Sequence, residues 1–137
     1  MKKYPYNSPQ AMARILIMQM IGDGNFDPSE IDELEHLNVY DVLGISRKDF
    51  IQVLQSYCDD LSDEADEEGR IRLIDRQRVD DLLETVDDPK KRAIVAAVAL
   101  DVAKSDHDFT DVEMAVFAHM LRRSSLTLED LHSVFAS

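Results

Sequence analysis

The chain has one cysteine, four glycines, four prolines and only 15 basic residues against 28 acidic ones, and each shortage excludes something. Cys58 has no second cysteine for an internal disulfide, so folding does not require an oxidising compartment. The deficit of Lys and Arg leaves a formal net charge of −13. That charge argues against nucleic-acid binding, whose affinity depends on basic side chains displacing counterions from phosphates. Anionic membrane surfaces are disfavoured for the same reason. Long apolar runs are also scarce: the longest, Ala93 to Leu100, is stopped by Asp101 well short of a bilayer span, so direct membrane insertion is not expected. Met1-Lys2-Lys3 leads into Tyr, Pro, Asn and Ser rather than an apolar segment. The expectation is a soluble cytoplasmic chain without a secretory leader.

What is present is ordinary for a folded domain. With 137 residues and 45% hydrophobic content, the chain can bury roughly 70% of the surface its unfolded form exposes, so a single domain over residues 1–137 is expected. The few glycines and prolines sit between periodic segments, the punctuation of a helical chain. Ser8 as N-cap and Pro9 at the first helical position open a helix through Ala11 to Ile21. Only Arg14 and Gln19 interrupt its apolar residues, so it must be buried around most of its circumference, with Met12, Met18 and Met20 as core filling. Asp27-Pro28-Ser29-Glu30 reads as a capping box for a second helix that carries Ile31, Leu34, Leu37 and Val42 and ends near Leu43-Gly44. Ser46-Arg47-Lys48-Asp49 opens a third, with Phe50, Ile51, Val53, Leu54 and Tyr57 facing the core.

Residues 59–68 hold seven acids and no base, which predicts a solvated loop or frayed helix end separating two halves, about 8–58 and about 70–135. In the second half a helix is expected from about Leu73 to Val86, with Ile74, Val79, Leu82 and Leu83 inward. Asp88-Pro89 starts another, whose Ala93–Leu100 stretch is rich enough in alanine for close backbone approach near the centre. No segment alternates as a strand does.

An internal repeat ties the halves together. Asp23, Phe26, Glu30, His36 and Leu37 correspond to Asp106, Phe109, Glu113, His119 and Met120, always 83 positions apart. Thr110-Asp111-Val112-Glu113 is the second capping box. After a shortening by two residues, Ile45-Ser46-Arg47-Lys48-Asp49-Phe50 matches Leu126-Thr127-Leu128-Glu129-Asp130-Leu131, with Thr127 capping the last helix. Two copies are too few for a solenoid. The expected fold is all-α, a single compact bundle of about seven helices built from two pseudo-repeated halves.

The acidic loops are the candidate chemistry. Asp23, Asn25, Asp27 and Glu30 in the first copy, echoed by Asp106, Asp108, Asp111 and Glu113, supply oxygen ligands suited to a hard divalent cation. Neither loop is an EF-hand: counting from Asp23 the sixth and twelfth positions hold Pro28 and Leu34, and counting from Asp106 they hold Asp111 and Phe117. Helix capping alone accounts for Asp27, Glu30, Thr110 and Glu113, so the ion and the caps compete as explanations. Glu33-Leu34-Glu35-His36 contains Glu-x-x-His, but Val116 stands three residues before His119, so the paired motif of a di-iron bundle is missing. His36 and His119 are instead expected as half-buried packing residues. Cys58 beside Asp59 and Asp60 should be a poor nucleophile. There is no Gly-x-Ser-x-Gly setting and no glycine-rich phosphate loop, so no catalytic residue is assigned and no enzyme is expected. The basic residues Arg70, Arg72, Arg76, Arg78, Lys90, Lys91 and Arg92 adjoin acidic runs, which suggests internal charge pairing or a docking patch for a protein partner.

An apolar helix, an Asp-Gly loop, a nearby Glu opening the next helix and then a Leu-Gly turn, arranged twice, resembles the TerB-like family, helical domains named for a tellurite-resistance protein and related to the N-terminal region of the DjlA co-chaperone. The matching residues are Ile15–Ile21, Asp23-Gly24, Glu30 and Leu43-Gly44, then Ala93–Ala103, Asp106 and Glu113. His107 replaces the second glycine, and Arg122 to Ser125 carries no Leu-Gly. The resemblance implies a non-enzymatic all-α interaction module linked to stress or tellurite resistance, with a divalent cation at the acidic loops. The alternative from the residues is a metal-dependent sensor or hydrolase whose two acidic loops converge.

Overall fold

A computed structural model describes residues 4–20, 29–63, 76–106, 111–127 and 129–130. The described residues are mostly helical, with no strand among them. Among the described residues seven helices follow one another: α1 (Pro9–Met20), α2 (Ser29–His36), α3 (Val39–Leu43), α4 (Arg47–Asp63), α5 (Arg76–Glu84), α6 (Pro89–Asp106) and α7 (Asp111–Ser124).

α1 begins where its cap requires. The Ala11 N–H donates to Ser8 Oγ at 3.1 Å, and Pro9 occupies the first turn, where a missing N–H costs nothing. Every residue from Ala11 to Met20 is buried, and α1 packs against α3, α4, α5, α6 and α7. That helix therefore has no solvent face, and its two polar residues are buried with the rest. Arg14 is 5% exposed and Gln19 3%. The Arg14 guanidinium lies over the Tyr4 ring, 5.1 Å from its centroid. Burial pulls the Arg14 pKa below its ordinary value, opposed by the electronegative surroundings of Tyr4, Asp60 and Tyr57.

The expected second helix is two helices. α2 stops at His36 because Asn38 adopts the left-handed conformation, φ 58°. Asparagine tolerates that geometry better than most side chains, and the chain turns there to direct Val39, Tyr40 and Leu43 inward. Val42, expected on the apolar stripe, is exposed instead. Arg47, the first residue of α4, reaches back to α2, donating to Asp32 at 2.9 Å and to Glu35. These hydrogen bonds, the one to Asp32 foremost, raise its pKa.

Ser46 caps α4 as its sequence predicts, accepting from the Asp49 N–H at 3.1 Å. Phe50, Val53, Leu54 and Tyr57 are buried, and Phe50 meets Tyr40 edge-on with centroids 5.2 Å apart. α4 extends to Asp63, so the first part of the acidic stretch is helix and 64–68 lie outside the described residues.

The turn between α5 and α6 is built by residues distant in sequence. Asn7, itself left-handed at φ 62°, donates its N–H to the Thr85 carbonyl at 2.8 Å and its side-chain amide to Asp87 at 2.7 Å. Its side-chain oxygen accepts from the Asp88 N–H, and its carbonyl accepts from Lys91 Nζ. Arg92 donates to the carbonyls of Val86 and Leu83, satisfying acceptors at the end of α5. Lys91 and Arg92 thus serve backbone oxygens, a departure from the charge pairing expected for them. Asp88 caps α6 through the Lys90 N–H at 2.9 Å.

Asn7 places the start of α1 beside the start of α6, and these two helices form the most extensive helix pair. Val95, Ala96, Ala97, Val98 and Ala99 are all buried in α6, where small side chains permit the close approach that the alanine content predicted. α7 returns along α6 after a connection of residues 107–110.

One turn is built twice. At the end of α3, the Gly44 N–H donates to Asp41 O and the Ile45 N–H to Tyr40 O. At the end of α7, the Ser125 N–H donates to Arg122 O and the Leu126 N–H to Leu121 O. Both are Schellman turns with a left-handed residue after the helix, Gly44 at φ 75° and Ser125 at φ 55°. Each is followed two residues later by a helix cap, Ser46 for α4 and Thr127 for the residues that follow it, the latter accepting from the Asp130 N–H at 3.2 Å. Asp130 reciprocates by accepting from the Thr127 N–H at 2.9 Å.

Candidate functional site

α1 and α6 start side by side at the Asn7 junction, and each is followed in sequence by one of the acidic segments. A 12-residue helix is about 18 Å long and an 18-residue helix about 27 Å. α7 begins after residues 107–110.

Glu30 is the second residue of α2, Asp106 the last of α6, and Asp111 and Glu113 the first and third of α7. Their side chains lie outside the described residues, as do Asp23, Asn25, Asp27 and Asp108 altogether. Backbone electrostatics still act on these positions. The last carbonyls of α1 and α6 favour a cation, whereas the first turns of α2 and α7 favour carboxylates such as Glu30, Asp111 and Glu113. Among the described residues, no group of three or more His, Cys, Asp or Glu side chains is placed to hold a metal ion.

A second polar constellation joins α5 to α7. His119 Nε2 and Asp80 Oδ1 are 2.8 Å apart, and Arg123 Nε approaches the same oxygen at 3.2 Å. His119 and Arg123 stand four residues apart on α7, one helical turn, so both reach one carboxylate. The His119 side chain is 17% exposed and that of Asp80 23%. His119 is thus the half-buried contact expected of it. His36 is not: it is exposed at the end of α2. The sequence had no signal for the role of Asp80, because its partner lies on another helix 39 positions away.

Cys58 is exposed on α4, and burial of its sulfur, followed by the charge of Asp59, pushes the thiol pKa up. A thiol held protonated in this way is a weak nucleophile at neutral pH, as its acidic neighbours predicted. Of the basic residues noted in sequence, Lys90 is exposed, while Arg70, Arg72 and the side chains of Arg76 and Arg78 lie outside the described residues.

No family model, curated protein or solved structure matches the chain. Among the described residues, no helix is long and apolar enough to cross a membrane.

Proposed function

We propose that the chain is a non-enzymatic, cytoplasmic interaction module of TerB-like type, linked to stress or tellurite resistance, that binds a protein partner and holds a divalent cation weakly at its acidic loops. The observation that carries this reading is that α1 and α6 start side by side at the Asn7 junction and pack against each other, each leading into one of the two acidic segments. The last carbonyls of α1 and α6 carry partial negative charge, and Asp23, Asn25, Asp27, Asp106 and Asp108 supply the oxygen-rich donors that hard cations prefer. The twin Schellman turns at Gly44 and Ser125, each followed by a hydroxyl cap, support two pseudo-repeated halves in a single domain. The same pairing of α1 with α6 supports a second reading, a metal-dependent sensor or hydrolase in which both loops converge on one ion.

Titration calorimetry of the full chain with calcium, magnesium, manganese and zinc tests both. An interaction module with independent loops binds two ions per chain, one lost in Asp23→Asn and the other in Asp106→Asn. A shared site binds one ion that either substitution removes, which favours the sensor or hydrolase. Absence of heat with all four ions, while circular dichroism shows a folded helical protein, overturns the cation in either reading.

A further inference from the structure

We draw no further inference here: the strongest candidate, the His119–Asp80–Arg123 cluster between α5 and α7, pairs its charges within itself, and nothing among the described residues places a ligand or a reacting group beside it.

Discussion

Gly44 and Ser125 perform the same task with different side chains, and exchanging them should move stability in opposite directions. Both residues close a helix in the left-handed region, at φ 75° and 55°. That conformation costs a non-glycine residue about 1–2 kcal/mol. A glycine there avoids the strain but loses about 0.5–1 kcal/mol more backbone entropy on folding than alanine does. A Cβ built on Gly44 meets no atom within 4 Å, so Gly44→Ala adds no steric clash and isolates the backbone effect. The net expectation is a loss of about 1 kcal/mol for Gly44→Ala and a gain of up to about 1 kcal/mol for Ser125→Gly. Urea denaturation followed by circular dichroism reads both. With a slope of about 2 kcal/mol/M, each substitution shifts the midpoint by about 0.5 M, with the slope unchanged. Gly44→Asn should fall between wild type and Gly44→Ala, because asparagine tolerates the left-handed region better. Equal midpoints for Gly44→Ala and wild type, or a loss in Ser125→Gly, would refute the claim that backbone strain governs these turns.

Arg92→Met keeps much of the aliphatic stem but strands the Val86 carbonyl and leaves that of Leu83 with the Val86 N–H alone. It should cost about 2 kcal/mol in the same assay, and Arg92→Lys should recover part of it. Cys58 should react slowly with iodoacetamide at neutral pH and faster as pH rises, because its raised pKa leaves little thiolate; Asp59→Asn should accelerate the reaction at fixed pH, and an unchanged rate would remove the charge of Asp59 as a cause. Glu30→Ala and Glu113→Ala should each lower stability by about 1 kcal/mol if these glutamates act as caps. A loss that appears only when a divalent cation is added would identify them as ligands.

Local signals were legible wherever a side chain acts on its own neighbourhood. Ser8, Ser46 and Thr127 cap as their spacing predicts, and the apolar runs of α1 and α6 are buried. The break at Leu37–Asn38 was not legible, because Leu34, Leu37 and Val42 kept a helical period across a residue whose backbone turns left-handed. Arg14 and Gln19 looked like interruptions of an apolar face, yet tertiary packing buries them because α1 is surrounded. Arg92 suggested charge pairing or a docking patch, and its use as a cap depends on the chain folding back from the end of α5. The missing Leu-Gly in the second half proved a poor guide to conformation, since Ser125 makes the same turn without glycine. As for the site, the acidic residues could be picked out by type and repetition, whereas the approach of α1 to α6 depended on Asn7 reaching residues about 80 positions away.

The surrounded position of α1 also sets an order of events during synthesis. This helix emerges first, yet the residues it packs against extend to α7. At about 5–20 residues per second, the roughly 100 residues between the ends of α1 and α7 take about 5–20 s to appear. Throughout that interval the Ile15-Leu16-Ile17-Met18 segment has no completed core to enter. The nascent chain therefore presents its most apolar helix while half-made, the kind of segment that holding chaperones bind, and the lasting fold must wait for the last of its packing partners.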